Sequence, residues 1–356
     1  MTAFFRKPVA GIYCLLALLS ALLFNSCGKQ ENPQAVEIHG KTMGTTFQVK
    51  YLPLPSDDDQ RPEAIGGEIN AALIAFNQLV STYIKDSRIS SFNQFADTTW
   101  FPVDSTFLHI LEGAREINRL SGGAMDITVG PLVNLWGFGP GSPEQRHIPE
   151  AAAIAAAKAN TGMEKLEIRH DPPAVRKQIP GLYIDLSSIA KGYGVDLVGR
   201  LLEKKGYANY LVEIGGEVRT RGVNERGVVW RLGISSPEIS GGLQAVIALD
   251  NFSMATSGDY MNYFEENGVR YSHLIDPVAA KPISHNLASV TVLHPSCMMA
   301  DGFATAINVL GPEQGMALAE RENLPIMMII REGEGFVEKM NDAFRLIREK
   351  TEESGN

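Results

Sequence analysis

The apolar residues of this chain fall mostly into short β-rich runs that follow one another directly, and this pattern is the first constraint on the fold. Such runs occupy 164–169, 181–186, 209–214, 229–234, 244–250, 269–275, 288–293 and 326–330, with an earlier one near 44–52. Strands in direct succession pair as hairpins, whereas a parallel sheet needs a crossover after each strand. The expected fold is therefore α+β: a single unit of mixed and antiparallel sheets with flanking helices. Two helices show in the spacing of apolar residues. Ile65, Ile69, Leu73, Phe76 and Val80 form one stripe, and Phe107, Ile110, Leu111, Ala114 and Ile117 form another, stopped by Ser121-Gly-Gly. An alanine-rich helix is expected over 149–159, and a fourth from Ile189 to Lys205, closed by Gly206. Pro53 to Pro62 reads as an acidic loop, and 349–356 as a frayed tail.

Residues 1–26 read as a lipoprotein signal. Arg6 and Lys7 precede an apolar run from Val9 to Phe24, and Ser26-Cys27 supplies the processing point. The run is short for a membrane span, which needs about 20 apolar residues. Phe24 stands three before the cysteine, where such signals usually carry Leu or Val, so a cleaved signal or an uncleaved anchor are the alternatives. All three export the domain. The expectation is a chain lipidated at Cys27, with a polar tether over 27–35 and a catalytic unit over 36–348. It would be held on the periplasmic side of the inner membrane.

Removing the signal takes away Arg6 and Lys7 and no acid, so the net charge of −9 becomes −11. A surface of that sign argues against nucleic acid or anionic lipid as a partner. With Cys14 in the signal and Cys27 lipidated, Cys297 has no partner. Neither an intramolecular disulfide nor a cysteine-based zinc site is expected.

Two segments carry the chemistry. Asp185-Leu-Ser-Ser-Ile-Ala-Lys191 puts a carboxylate, two hydroxyls and an ammonium on a strand-to-helix turn. Asp301-Gly-Phe-Ala-Thr305 puts a carboxylate and a hydroxyl on one face of a helix. Together they suggest a hard cation such as Mg²⁺ beside a phosphate-bearing ligand, with Lys191 offsetting charge. A helix cap explains Asp301 and Thr305 equally, and a hydrogen-bonded turn explains Asp185. Backbone carbonyls, water or ligand phosphate would have to complete a metal shell. Glycine turns lie beside carboxylates in Gly122-Gly-Ala-Met-Asp126 and Glu213-Ile-Gly-Gly-Glu217, where close ligand approach and a plain tight turn are both open. His273 is an acid/base group or a satisfied strand histidine. Trp136-Gly-Phe-Gly139 suits a flat ligand or a hydrophobic plug.

Other signatures fail. Gly40-Lys-Thr42 lacks the P-loop's first glycine, since Ala35 stands there, and Gly192-Tyr-Gly194 is followed by Leu197 instead of a third glycine. Ser188-Ile-Ala-Lys191 fits the Ser-x-x-Lys of penicillin-binding proteins, but Ser91-Phe-Asn93 precedes it and no Lys-Thr-Gly exists. An acyl enzyme remains a rival that a fluorescent penicillin would test.

Taken in order, the segments resemble the ApbE family, the FAD:protein FMN transferases. The run is Met43-Gly-Thr45, Ser81-Thr-Tyr83, Asp86-Ser87, Asn93, Gly123-Ala-Met-Asp126-Ile-Thr128, Gly130-Pro-Leu132 and Trp136-Gly-Phe138. It continues through Asp185-Leu, Ala190-Lys-Gly192, Glu213-Ile-Gly-Gly216, Ala255-Thr-Ser-Gly-Asp-Tyr260, His273, Asp276-Pro277 and Ala300-Asp301 to Thr305. The resemblance implies an ApbE-type α+β unit that splits FAD, places FMN on a Thr or Ser hydroxyl of another protein, releases AMP and requires Mg²⁺. The implied acceptors are subunits of membrane redox complexes, of the Na⁺-pumping NADH:quinone reductase or Rnf type. It also implies that Met43, Tyr83, Ala124, Met125, Asp126, Asp185, Lys191 and Ile275 hold FAD. Asp301, Thr305 and the Ser188 carbonyl would hold the metal. Met125 replaces the more frequent Phe, and Ser187-Ser188 replaces Gly-Gly. His273 is the first candidate for the acceptor's proton and Asp276 the second. An FAD pyrophosphatase giving FMN and AMP, and a non-enzymatic FAD-binding lipoprotein, are the remaining alternatives; Tyr83, usual in the family's transferases, favours transfer.

Overall fold

A computed structural model describes residues 1–2, 33–141, 146–237, 241–259 and 262–353. The chain divides after Pro33, and Gln34–Asn356 forms one compact unit. The expected signal apart from its first two residues, the lipidation site at Cys27, most of the tether and Tyr260 lie outside the described residues.

The largest sheet has eight strands: Val36–Thr42, Thr45–Tyr51, Tyr210–Ile214, Glu217–Arg221, Ser253–Gly258, Leu287–His294, Ile326–Glu332 and Gly335–Met340. Their order across the sheet is their order in the chain, and each is antiparallel to the next. Four smaller antiparallel sheets accompany it among the described residues. The α+β expectation holds for the physical reason given: successive strands pair with each other.

The sheet separates two cores. In Ile326–Glu332, Ile326 and Met328 join a core with the helices Ser105–Leu120 and Cys297–Arg321, while Met327 and Ile329 point the other way. That second core is closed by the hairpin Trp230–Ser235 and Leu243–Leu249 and by the helix Asp342–Glu353. Both expected apolar stripes are buried, on helices Arg61–Val80 and Ser105–Leu120. The alanine-rich helix Ala151–Ala159 buries none of its residues.

Three readings need correction. Residues 181–186 alternate Leu182, Ile184 and Leu186 into the core as a strand would, yet pair with no strand. The Asn93 side chain takes the place of a neighbouring strand: it donates to the Ile184 carbonyl and accepts from the Ile184 amide, both at 2.8 Å. Polar or short strands escaped the apolar pattern, among them Val36–Thr42, Glu217–Arg221, Ser253–Gly258 and Gly335–Met340. The tail is not frayed from 349. Its helix runs to Glu353, with Thr351 buried and its hydroxyl oxygen accepting from the Ala248 amide at 2.9 Å.

Candidate active site

Two helices meet at their N-terminal turns, Ala190–Lys204 and Cys297–Arg321. Only glycine fits at 192, because a Cβ there would lie 2.3 Å from the Cys297 carbonyl oxygen and 2.8 Å from Asp301 Cβ. Contact this close lets the Gly192 amide donate to Asp301 Oδ2 at 2.9 Å. As the third residue of its helix, Gly192 has no carbonyl within the helix for its amide, and the Asp301 carboxylate supplies the acceptor. Among the described residues no donor bonds the Ser188 carbonyl. Asp196, inside the first helix, fixes the register. It accepts from the amides of Cys297 and Met298, both at 3.1 Å, from Ser296 Oγ and from the Arg219 guanidinium.

Lys191 lies between two buried carboxylates. Its Nζ is 2.6 Å from Glu217 Oε2 and 3.9 Å from Asp301 Oδ1. Glu217 is 1% exposed and Asp301 5%. Burial pushes the Glu217 carboxyl up and the Asp301 charge adds to the rise, while the Lys191 ammonium 2.6 Å away pulls it back down and favours the carboxylate. Burial likewise raises Asp301 against the pull of Lys191 and the Gly192 amide. Burial works against the Lys191 charge too, but the two carboxylates outweigh it and its pKa is raised. One ammonium against two buried carboxylates leaves the cluster short of positive charge.

The Asp185 region forms the neighbouring wall. Asp185 Oδ1 accepts from the Ser187 amide at 2.9 Å and its hydroxyl at 2.7 Å, so the turn explanation accounts for one of its oxygens. Its backbone is tied to the Ile127 carbonyl at 2.7 Å, which sets it beside the Gly122–Thr128 turn. There Asp126 Oδ1 accepts from the Thr128 amide and hydroxyl, and burial raises its pKa. A cavity of about 290 Å³ opens beside Asp126, lined also by Gly123, Lys158, Gly162 and Lys165. A larger one, about 550 Å³ between Arg119, Gly122 and Arg321, holds none of the expected site residues. Ala124 is buried, and Met125 faces the core with its amide on Ser121 Oγ and its carbonyl on the Asn118 amide. Both backbone groups of Met125 are thus tied within the turn that leads to Asp126.

Met43 sits at φ 49 in the two-residue turn before Thr45, packed on Gly194 of the lysine's helix. Tyr83 is 68% exposed; burial of its hydroxyl and the neighbouring Asp185 carboxylate raise its pKa, against Arg146.

His273 is held by one carbonyl. Its amide and its Nδ1 both lie 3.0 Å from the Asn262 oxygen. A carbonyl can only accept, so Nδ1 carries the proton and Nε2 keeps its lone pair. Burial lowers the ring's pKa. Ile275 is buried in an aromatic cluster with Trp136 and Phe138. There Trp136 stacks on Tyr271 and Phe138 packs on Phe264. Asp276 Oδ1 caps its own turn, accepting from the amides of Val278 and Ala279.

The donors fit a hard cation. Among the described residues, Asp301 Oδ1, the Thr305 hydroxyl and the Ser188 carbonyl accept no hydrogen bond. No cluster of three or more His, Cys, Asp or Glu with metal-binding spacing occurs among the described residues. One carboxylate, a hydroxyl and a carbonyl form the oxygen-rich, incomplete set that Mg²⁺ uses with water and phosphate. Lys191 is paired with Glu217, and no described hydrogen bond links it to the Ser188 hydroxyl as an acyl enzyme requires.

The sequence reading missed Glu217 and Asp196. Glu217 was visible only as a carboxylate after a glycine turn, and Asp196 as an acid among Val195 and Val198.

An α+β scaffold that converges two helix N-termini, a lysine and buried carboxylates defines a phosphate-handling enzyme class. The chain belongs to the ApbE family, whose profile matches residues 43–329. An FAD:protein FMN transferase from Vibrio cholerae serotype O1 is 45% identical over 332 residues, 93% of this chain and 97% of that protein. The solved flavin transferase ApbE from Vibrio cholerae aligns at TM-score 0.81 and 43% identity, covering 88% of this chain and 99% of that one. The apo flavinyl transferase ApbE from Pseudomonas stutzeri gives 0.81 at 39% identity, covering 88% and 97%.

Proposed function

We infer that this chain is an FAD:protein FMN transferase, and that it forms a phosphoester between FMN and a Thr or Ser hydroxyl of another protein with release of AMP. The observation that carries the reading is Lys191, fixed between Glu217 and Asp301 at the helix N-terminus, with a lone-pair-bearing His273 ring on the same unit.

The residues divide the work. Met43, Tyr83, Ala124, Asp126, Asp185 and Ile275 bind and orient FAD. Met125 supports this pocket from the core. Lys191 offsets charge on the pyrophosphate as the phosphorus–oxygen bond to AMP breaks. His273 Nε2 takes the proton of the acceptor hydroxyl as its oxygen bonds to that phosphorus. Asp301, Thr305 and the Ser188 carbonyl would hold Mg²⁺. Bound there, the ion would neutralise phosphate oxygens that Lys191 alone leaves charged.

The acceptor is proposed to be a subunit of a membrane redox complex, of the Na⁺-pumping NADH:quinone reductase or Rnf type. The basic, apolar and Ser-Cys order of residues 1–27 supports export and lipid anchoring at Cys27 on the periplasmic side of the inner membrane. Among the described residues no helix is long and apolar enough to cross a membrane.

The test incubates the protein with FAD, Mg²⁺ and a candidate acceptor domain and weighs the acceptor by mass spectrometry. A gain of one FMN with AMP release, both blocked by EDTA, supports transfer. AMP and free FMN without an adduct favour a pyrophosphatase. Absence of AMP sinks the enzymatic reading.

A further inference from the structure

Glu217 has no structural task that a carboxylate does best. It is the first residue after the Gly215–Gly216 turn, paired with Ile214 across the hairpin, and its side chain is turned fully inside. A buried carboxylate is expensive, and an apolar side chain would fill the same space more favourably. The cation it meets is Lys191 Nζ, at 2.6 Å. The lysine stem runs along the turn itself, since a Cβ on Gly215 would lie 3.4 Å from Lys191 Cδ. The second carboxylate, Asp301, lies 3.9 Å from the same ammonium through Oδ1, the oxygen not used by Gly192.

An ammonium freed from Glu217 would close on Asp301 Oδ1, because nothing else in the cluster offsets its charge. That oxygen is the one available to a divalent cation. Resting on the transferase reading above, we propose that Glu217 is a positioning residue that holds Lys191 off Asp301, so that Asp301 keeps an oxygen for the metal. Glu217 touches neither substrate nor metal in this arrangement and acts wholly through the lysine. Loss of Glu217 therefore lowers metal affinity only while Lys191 is present.

The experiment is a titration of wild type, Glu217→Gln, Lys191→Met and the double variant with Mn²⁺. Binding is followed by loss of the free-ion EPR signal, and thermal unfolding checks each fold. Glu217→Gln keeps shape and removes charge, and its half-saturation point should rise tenfold or more, the scale of lost support to a metal ligand. In the Lys191→Met background the same change should move half-saturation by less than about threefold, the non-additivity expected of residues acting as a unit. The Mg²⁺ concentration for half-maximal FMN transfer should shift in parallel. Should Glu217→Gln not fold, Lys191→Met/Glu217→Leu removes both charges together and should bind Mn²⁺ as Lys191→Met does. A single variant that binds like wild type overturns the proposal, and so does a loss that persists undiminished without Lys191. The metal titration reads Glu217 whether or not FMN moves, so this inference and the transferase reading fail separately.

Discussion

His273 and Asp301 carry opposite demands at the scale of single residues. On the proposed mechanism the ring works neutral: Nδ1 donates a hydrogen bond to the Asn262 carbonyl and Nε2 accepts the proton. Burial lowers its pKa from the ordinary 6.5, so acid disables it only below that value. The acid limb of kcat/KM should have its midpoint below 6.5, and His273→Gln should lose about 10²–10⁴-fold in turnover and abolish the limb. The linkage has a definite sign. Between the lowered folded value and 6.5 the unfolded chain binds the extra proton, so this contribution to stability is complete above 6.5 and is lost as pH falls. For Asp301, substitution by Asn keeps an acceptor for the Gly192 amide while removing charge. The expected result is a preserved fold by circular dichroism and a loss of Mg²⁺-dependent transfer on the order of 10²–10³. Asp301, Thr305 and Lys191 were legible because their spacing within one helix or turn is local. Glu217 was not, since its partner is set by a hairpin packing on a helix.

Elements show where that local legibility ends. Leu182, Ile184 and Leu186 alternate as a strand does, and no sequence rule would reveal that Asn93 replaces the neighbouring strand. The amphipathic helices were readable because one face of each meets a core, whereas Cys297–Arg321 is kinked at Gly311 (φ 78) before Pro312, so no single apolar stripe runs through it. Its crossing with Ala190–Lys204 depends on Gly192. Gly192→Ala pushes a methyl into the Cys297 carbonyl, and overpacking of that kind costs about 1–3 kcal/mol. Calorimetry should show a lower unfolding midpoint, and transfer should fall with it as Lys191 shifts against Asp301. At the other end, ending the chain after Arg348 removes the bond from Ala248 to Thr351. It should lower the denaturant midpoint by the equivalent of about 0.5–1.5 kcal/mol, the net worth of a part-buried hydrogen bond.

For the whole molecule, α+β architecture was readable from runs of strands, but the order of the sheet was not. Lateral pairing depends on contacts between residues far apart, and half the strands are too polar or too short to register. The compact unit begins at Gln34, two residues before the first strand. A protein starting at residue 34 should therefore be soluble and transfer FMN to a soluble acceptor at the full-length rate. A large loss of turnover on that deletion would give residues 1–33 a part in catalysis.

The sheet's order also dictates when the molecule can exist. The second strand, Thr45–Tyr51, pairs on its far side with Tyr210–Ile214, and Lys191 meets Glu217 only after that hairpin has formed. The helix that carries Asp301 follows later still, from Cys297. A chain emerging from the ribosome thus has no competent site until most of it has been made, and contacts of such long range are slow to form. Until Cys297–Arg321 has been made and packed against the lysine's helix, FAD meets an open chain and no enzyme.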